Sequence, residues 1–273
     1  MQLSKIYIRI MKLFANYLPE RLKNTIKSII NYSPTKELEI CRIKLINASS
    51  KTDLLSQDYV EKLLCELGLN NEELFNYPKT LFSYCGNGLL SWQYPIQFSK
   101  YLLELANRKV SSYLEIGVKH GGTFIVTVEY LSKYNTINKA IGVDLFPAKG
   151  LIAYKKINKI VRWYAMNSRA EKFRIMLQKQ GPFDLVLIDG DHSYEGCLSD
   201  FLTIKEYTKM IAFHDIVGMG EPGVMKVWNE IKSQYDTDFE FIEFIEQYNE
   251  VFENTDKTWL GLGLAIKKNN KWI

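Results

Sequence analysis

The densest group of chemically competent side chains lies in the second half of the chain, just after two short apolar runs. Asp189, Asp191 and His192 follow the first of these runs, and His214 and Asp215 follow the second. Carboxylates that are clustered and buried repel one another and lose hydration, unless they share a cation or a proton. Carboxylates combined with an imidazole suit Mg²⁺ or Mn²⁺, so the pattern predicts a divalent metal ion.

A second group surrounds a glycine-containing turn that follows an earlier apolar run. Gly117 would allow a tight turn, and Gly121 would open the next helix, where free backbone N–H groups meet a ligand. The G-x-x-x-G spacing differs from the G-x-G-x-x-G of dinucleotide sites, and the acid Glu115 suits a cation or an amino group better than a pyrophosphate. Asp144 ends the next run, where a carboxylate can accept hydrogen bonds from both hydroxyls of a ribose.

These residues must be positioned by regular elements, and from Ser111 onward short apolar, β-branched runs alternate with amphipathic stretches. The alternation predicts an α/β fold: a doubly wound, mostly parallel, seven-stranded Rossmann-like sheet with helices on both faces. Because no clear helix separates the last two runs, we expect a closing hairpin and an antiparallel edge strand. The predicted strands are Tyr113–Gly117, Ala140–Leu145, Ile160–Ala165, Phe183–Asp189, Met210–His214, Phe239–Phe244 and Trp259–Ile266.

Three segments of the chain differ in pattern. Residues 1–35 predict a basic amphipathic helical extension, which either contacts an anionic membrane or a partner, or folds onto the main domain or a second subunit. Residues 36–108 predict a helical cap or lid. Its loop at 84–95, rich in glycine and aromatic residues, either faces a sugar or nucleoside or anchors the segment to the core. Residues 109–273 predict the Rossmann-like domain.

The composition is typical of a soluble globular enzyme, with 273 residues, 47% hydrophobic and 24% charged. Residues 1–30 hold six bases and one acid, and the net charge of the whole chain is +4, so the remainder is nearly neutral. Nucleic acid is therefore not an expected partner. The four cysteines form no C-x-x-C pair, which favours free thiols in the cytoplasm, where the extension could reach the inner face of the membrane.

The glycine turn and the acid that ends the second strand resemble the class I S-adenosylmethionine-dependent methyltransferases, whose first motif has the form E/D-x-G-x-x-x-G. The resemblance covers about residues 111–266. It implies S-adenosylmethionine as the cofactor, with its methionine part at the glycine turn, its ribose at Asp144 and its adenine just past the third strand. The residues implied as cofactor contacts are Glu115, Gly117, Gly121, Asp144, Asn167, Ser168 and Asp189.

The stretch Asp189-Gly-Asp-His-Ser-Tyr-Glu195 resembles a narrower group, the metal-dependent sugar O-methyltransferases and cephalosporin-hydroxylase-like proteins. This resemblance implies Asp189 and Asp215 as ligands of Mg²⁺ or Mn²⁺, with His214 where acidic members have a carboxylate. It implies His192 or Asp191 as the base. The implied reaction is O-methylation of a sugar or nucleotide-sugar hydroxyl, or of a glycan, in surface-polysaccharide or natural-product biosynthesis.

Other readings stay open from the sequence. An NAD-dependent sugar-nucleotide oxidoreductase could use a similar sheet, although the G-x-x-x-G spacing disfavours it. A non-catalytic cofactor-binding scaffold could be tethered to a glycan-assembly complex through residues 1–35. The histidines His120, His192 and His214 could each hold a loop in place without touching a ligand. The oligomeric state is also open, with a homo-oligomer as one option.

Overall fold

The computed structural model describes residues 38–72, 74–218, 222–251 and 258–268. The predicted helical extension at 1–35 therefore lies outside the described residues. Within the described part of the chain, seven strands form one sheet. The strands are β1 (Ser112–Ile116), β2 (Lys139–Asp144), β3 (Val161–Ala165), β4 (Phe183–Ile188), β5 (Thr208–His214), β6 (Phe239–Phe244) and β7 (Leu262–Lys267).

The strand order places the chemically competent residues on one edge of the sheet. The order is β3-β2-β1-β4-β5-β7-β6, with β1 to β5 mutually parallel and β7 antiparallel to both of its neighbours. Because the order reverses between β1 and β4, a crevice forms outside the carboxyl ends of these strands. The turns after β1, β2, β4 and β5 therefore meet at this crevice.

Helices cover both faces of the sheet. The turn that precedes α7 is fixed by an N-cap, since the Ser193 hydroxyl accepts a hydrogen bond from the Gly196 N–H at 3.1 Å. The α-helices in the described ranges are α1 (Ile43–Ala48), α2 (Gln57–Leu67), α3 (Pro95–Ala106), α4 (Gly122–Ser132), α5 (Lys149–Ile157), α6 (Glu171–Gln180), α7 (Tyr194–Ile204) and α8 (Pro222–Gln234).

Each face of the sheet is buried under its own apolar core. On one face Phe98 of α3 and Phe124 of α4 lie in the same cluster as Tyr113 of β1. On the other face Phe201 of α7 and Trp228 of α8 belong to a second cluster. The central strands β1 and β4 are buried along their whole length. This burial explains why their sequences are mostly apolar and do not alternate regularly with polar residues.

The helices before the sheet share its core. Ile46 of α1, Val60 of α2 and Leu105 of α3 are fully buried in the cluster that also contains Tyr113. The described residues from Leu38 onward form one compact unit. The predicted cap at 36–108 thus contributes its described helices to the hydrophobic core, while its boundary with the Rossmann-like segment stays a prediction.

The predicted fold class is confirmed, with two differences at the end of the sheet. The closing hairpin is present, but the antiparallel strand β7 lies between β5 and β6, so that β6 forms the edge. The last strand was expected to begin at Trp259, whereas β7 begins at Leu262. Leu260 and Gly261 have φ values of +62° and +84°, and this left-handed backbone cannot continue a strand.

The four cysteines lie within the described residues and are free thiols. Cys65 and Cys197 are buried, and burial raises the pKa of each thiol to about 12. Neither thiol is therefore a nucleophile at neutral pH. No helix in the described ranges has the length and apolar character needed to cross a membrane.

Candidate active site

The turn after β1 brings the ends of β1 and β4 into close backbone contact. Gly117 has a φ of +87°, and a Cβ atom placed on it would lie 1.9 Å from the carbonyl oxygen of Asp189. A side chain at this position would therefore push the two strand ends apart. Gly121, with a φ of +100°, is the N-cap residue of α4. The two predicted glycines thus allow a close approach and a helix start.

Asp144, at the end of β2, holds the glycine turn in shape. Its Oδ2 accepts hydrogen bonds from the N–H groups of Val118 (2.9 Å) and Lys119 (2.8 Å). Its Oδ1 accepts one from the Phe146 N–H at 3.0 Å. A carboxylate offers about four acceptor positions, so Oδ1 keeps capacity for another donor. The predicted contact of Asp144 with a ribose stays a prediction.

Glu115, in β1, lies beneath the turn. Its side chain is buried and accepts a hydrogen bond from the Tyr113 hydroxyl. Burial raises the pKa of Glu115 well above its ordinary value, because it disfavours the charged carboxylate. The predicted contact of Glu115 with a cofactor stays a prediction.

Asp189, His192, His214 and Asp215 form what we call the acid–imidazole cluster, at the ends of β4 and β5. Asp189 Oδ1 lies 3.2 Å from His192 Nε2 and 3.2 Å from His214 Nδ1. Asp215 Oδ2 lies 3.3 Å from His192 Nδ1 and 3.0 Å from His214 Nδ1. Each carboxylate therefore faces both imidazoles. The structure brings together the four residues that the sequence placed at adjacent strand ends.

The two imidazoles of the cluster differ in their access to solvent. The side chain of His192 is 28% exposed, whereas that of His214 is 4% exposed. Burial alone would lower the pKa of His214, but the carboxylates of Asp189 and Asp215 outweigh it and raise that pKa well above its ordinary value. The deep imidazole thus compensates the carboxylate charge, while His192 is the one that an incoming molecule can reach.

A β-bulge directs Asp215 into the cluster. His214 pairs with Leu262 of β7, and the N–H of Ile216 donates to the Gly261 carbonyl at 3.4 Å, so Asp215 has no residue opposite it. Its φ of +59° is left-handed, which is uncommon for a residue with a side chain. Neighbouring strand residues normally point to opposite faces of a sheet. The bulge allows His214 and Asp215 to face the same point.

The segment from β1 to the bulge matches a known domain family. Residues 114–216 match the family model described as "Methyltransferase domain". The matched residues include the glycine turn, Asp144 and the whole acid–imidazole cluster. Over this segment of the chain, the match confirms the methyltransferase class that the sequence motifs predicted.

Solved structures similar to this methyltransferase are distant in sequence. An O-methyltransferase from Bacillus cereus in complex with SAH is 13% identical, with 81% of this chain and 93% of that chain covered and a TM-score of 0.48. TomG from Streptomyces achromogenes, an O-methyltransferase solved with SAM, is 14% identical, with 84% and 96% covered and a TM-score of 0.49. The MycE methyltransferase of the mycinamycin pathway, solved with Mg and SAH, is 15% identical, with 67% and 50% covered and a TM-score of 0.43. No curated protein matches the sequence.

Asp191 of the methyltransferase domain lies apart from the acid–imidazole cluster. Its carboxylate pairs with Arg169 and accepts a hydrogen bond from the Ser193 N–H at 3.0 Å. Asn167 Oδ1 accepts a hydrogen bond from the Arg169 N–H at 2.8 Å. The structure thus ties Asp191 to the loop that carries the predicted adenine contacts Asn167 and Ser168, and does not bring it to the other predicted catalytic residue, His192.

The cap contacts the glycine turn through Glu72 and Trp92. The sequence did not indicate these contacts. Glu72 Oε2 accepts a hydrogen bond from Lys119 Nζ at 2.9 Å. Glu72 Oε1 lies 3.1 Å from His120 Nε2. Lys119 Nζ also lies 3.3 Å from the centre of the Trp92 ring. His120 therefore has a partner in the cap. These pairs join segments far apart in the chain, so no local pattern signals them.

Ser91 and Gln93 are candidate ligand contacts that the sequence signalled only through the composition of their loop. The Ser91 hydroxyl and both amide atoms of Gln93 are buried without a hydrogen-bond partner among the described residues. The loop passes close to the start of α4, because a Cβ on Gly122 would lie 2.2 Å from the Leu89 carbonyl oxygen. Buried polar groups without partners are rare in proteins. Both residues can therefore serve a ligand bound beside the α4 N-terminus.

The acid–imidazole cluster has the donor set of a divalent metal site. One ligand atom each from Asp189, His192 and Asp215 lies within 4.8 Å of the others. His214 Nε2 is buried without a hydrogen-bond partner in the described part of the chain. Two carboxylates with imidazole nitrogen suit Mg²⁺ or Mn²⁺. The residues present therefore fit such an ion, with His192 available in addition to the predicted His214.

Proposed function

We propose that this protein transfers the methyl group of S-adenosylmethionine to the hydroxyl oxygen of a sugar, carried by a nucleotide or a glycan, with the help of a divalent ion. The position of His192 carries the proposal. Its imidazole is partly exposed and lies between the carboxylates of Asp189 and Asp215 at the ends of neighbouring strands. The placement of the reaction in surface-polysaccharide or natural-product biosynthesis follows from the resemblance of the stretch at 189–195 alone.

The cofactor side of the proposed site is the crevice edge at β1 and β2. S-adenosylmethionine supplies a methyl group bonded to a positively charged sulfur. Gly117 allows the close approach of β1 and β4 at this edge, Gly121 begins α4, and Asp144 holds the turn while retaining an acceptor position for a ribose hydroxyl. Asn167 and Ser168 stand on the loop after β3 as the proposed contacts for the adenine.

The metal side of the proposed site is the edge at β4 and β5. Asp189, His214 and Asp215 would hold the ion, which would stabilise negative charge developing on the acceptor oxygen. Because the three side chains are largely buried, little water competes for their donor atoms. Asp189 is also the proposed point of contact between the metal side and the cofactor.

His192 is the proposed general base. A sugar hydroxyl is a poor nucleophile at neutral pH, and an imidazole has the intrinsic pKa to remove its proton as the oxygen attacks. The new bond joins that oxygen to the methyl carbon, the carbon–sulfur bond breaks, and the hydroxyl proton passes to His192. The products are a methyl ether and S-adenosylhomocysteine. Asp191, the other predicted base, is occupied by Arg169.

The acceptor is proposed to bind under the loop at 84–95. Trp92 presents an aromatic ring against Lys119, and Gln93 brings an unpartnered amide. Aromatic faces next to uncharged hydrogen-bonding groups suit a sugar ring. The family resemblance points to the same acceptor class.

The test is methyl transfer from labelled S-adenosylmethionine to a pool of sugar nucleotides and glycans, with Mg²⁺ or Mn²⁺ present. Asp189→Ala and His192→Ala are expected to abolish transfer, because the first removes a ligand and the second removes the base. S-adenosylhomocysteine binding, measured by calorimetry, should persist in His192→Ala. Glu171→Gln, an exposed change on α6, is the matched control and should keep full activity.

Full activity in both alanine variants would overturn the assigned roles. Calorimetry of the unsubstituted protein tests the cofactor separately from the acceptor. An absence of heat with S-adenosylhomocysteine would refute the cofactor site. Binding without transfer to any sugar in the pool, with or without added ion, would instead favour the cofactor-binding scaffold.

A further inference from the structure

We infer that Gln97, a residue of the cap helix α3, is a positioning residue that sets the orientation of the Asp215 carboxylate through the backbone opposite the β-bulge. The side-chain hydrogen bonds of Gln97 go to Glu246, Trp259 and Gly261, none of which belongs to the acid–imidazole cluster. Its bonds run to the chain between β6 and β7, and that chain is bonded to the backbone just after Asp215. The assignment of Asp215 as a metal ligand rests on the proposed function, whereas the link from Gln97 to the bulge rests on hydrogen bonds.

The side chain of Gln97 is fully buried and uses both ends of its amide on one segment. Its Nε2 donates to the Trp259 carbonyl at 3.2 Å, and its Oε1 accepts from the Gly261 N–H at 3.0 Å. Bonding to the carbonyl of one residue and the N–H of the second residue after it imitates the edge of a β-strand. Nε2 also donates to the Glu246 carbonyl at 2.8 Å, which joins the two sides of the β6–β7 connection.

The segment at 259–261, which Gln97 bonds, is in turn hydrogen-bonded to the backbone of the bulge. The Gly261 carbonyl accepts from the Ile216 N–H (3.4 Å), and the Leu260 carbonyl accepts from the Val217 N–H (3.1 Å). Leu260, Gly261 and Asp215 all have positive φ values, so both chains depart from strand geometry at this point. A left-handed residue with a side chain persists only where its surroundings fix it. Gln97, in helix α3, contributes to fixing this backbone through its hydrogen bond to Gly261.

A polar residue is needed here because the clamped backbone groups are buried. The exposed fraction of Leu260 is 2%, and Gly261 is also buried. Without the amide, the Gly261 N–H would lose its acceptor, and an unpaired buried donor costs about 1 to 3 kcal/mol. Gln247 bonds Trp259 as well, but it lies within the β6–β7 connection, and its side-chain hydrogen bonds go to Ile245 and Trp259. Gln97 is therefore the described side chain that joins the cap to the residue facing the bulge.

Because the sequence contains three histidines in all, two in the cluster and one at the glycine turn, imidazole resonances report on Asp215 without any ion. We propose to compare ¹⁵N-histidine spectra of the full chain, metal-free, with those of Gln97→Met. The resonances of His192 and His214 should shift, because both rings lie against the Asp215 carboxylate. The His120 resonance should stay in place, as should all three in the exposed control Gln178→Met.

A second readout is the affinity for Mn²⁺, measured by electron paramagnetic resonance of the free ion. Gln97→Met should weaken binding by about 10- to 100-fold, the usual effect of removing support behind a ligand. Gln97→Glu keeps the acceptor for the Gly261 N–H and should lose less. S-adenosylhomocysteine affinity should change less than about twofold in both, since the cofactor edge is at β1 and β2.

The outcomes separate this inference from the proposed function. Unmoved His192 and His214 resonances in folded Gln97→Met would overturn the positioning role. Loss of folding in both Gln97 variants would also overturn it, because it would make Gln97 a core residue with a general structural task. Should the unsubstituted protein bind no Mn²⁺, the proposed ion would be lost, while the imidazole spectra would still decide the role of Gln97.

Discussion

The imidazoles of His192 and His214 both lie against the carboxylates of Asp189 and Asp215, but they differ in burial, and this difference suggests different roles. His214 is almost fully buried beside Asp189 and Asp215, and these two carboxylates raise its pKa as long as no ion shares their charge. His192 touches the same carboxylates from the open side. A ligand needs to be fixed and shielded from water, whereas a base must meet the acceptor. This contrast favours His214 as the ligand and His192 as the base.

Substitution of each imidazole by glutamine separates these roles. His214→Gln is expected to weaken Mn²⁺ binding by about 10- to 100-fold, because a buried donor is lost beside two carboxylates. His192→Gln should reduce Mn²⁺ affinity much less but should remove methyl transfer. Electron paramagnetic resonance and the transfer assay measure the two quantities. A larger loss of Mn²⁺ affinity in His192→Gln than in His214→Gln would reverse the assignment.

The identities of the cluster residues could be predicted from the sequence, because each follows an apolar run that ends at the same sheet edge. Their orientations could not. His214 and Asp215 are adjacent, and strand periodicity places adjacent side chains on opposite faces. The bulge that overrides this rule depends on pairing with residues near Gly261, far along the chain. Asp191 shows the same limit, since its pairing with Arg169 depends on the loop after β3.

At the scale of elements, the site depends on how closely β1 and β4 approach each other. Gly117 touches the Asp189 carbonyl, and the N–H of Asp189 donates to the Ile116 carbonyl at 2.8 Å. The strand ends are thus joined directly beside the cluster. Their near-continuous apolar runs made these strands predictable, and the observed β1 and β4 each end one residue before the predicted strands.

Two glycine substitutions test the close contact between the ends of β1 and β4. Gly117→Ala should destabilise the protein by more than about 3 kcal/mol, because the added Cβ meets backbone and φ is left-handed. Gly190→Ala, one residue past Asp189, places its Cβ 3.2 Å from Ile116 Cγ2 and needs no left-handed backbone, so the loss should stay below about 1 kcal/mol. Urea unfolding gives both values. Equal losses in the two variants would contradict the close-approach argument.

The hairpin at the end of the sheet shows what the sequence could not specify. Both β6 and β7 were predictable as strands from their apolar runs. Either β6 or β7 could pair with β5, and the other strand would then form the edge of the sheet. Tertiary contacts determine that β7 pairs with β5. Trp228 of α8 packs against Gly263 of β7, where a Cβ would lie 2.6 Å from the ring. Such a contact has no local signature.

At the scale of the whole molecule, the sheet edge opposite the crevice is tied by one carboxylate. Asp184 Oδ2 accepts hydrogen bonds from the N–H and hydroxyl groups of Ser111 and Ser112, and Oδ1 pairs with Lys209 Nζ at 2.7 Å. These contacts join β1, β4 and β5. Burial alone would raise the pKa of Asp184, but Lys209 and Ser111 hold that pKa at about 2, below its ordinary 3.8.

A lowered pKa makes the contribution of Asp184 depend on pH. The stabilisation is complete above 3.8, the value in the unfolded chain, and is lost as the pH falls toward about 2. Asp184→Asn should therefore lower the free energy of unfolding by about 2 kcal/mol at pH 7. The difference from the unsubstituted protein should shrink below pH 4. Urea titrations at pH 7, 4 and 3 provide the comparison, and a constant difference across them would exclude this linkage.

The bulge at Asp215 also bears on how this protein can be dissected. A fragment trimmed to the matched residues 114–216 would retain every acid and imidazole of the cluster. It would lack β7, which pairs with β5 next to the bulge, and α3, whose Gln97 accepts a hydrogen bond from the Gly261 N–H just before β7. Such a fragment would possess all the reactive groups but would lose the contacts that orient the Asp215 carboxylate, so the smallest competent unit must extend beyond both ends of the matched segment.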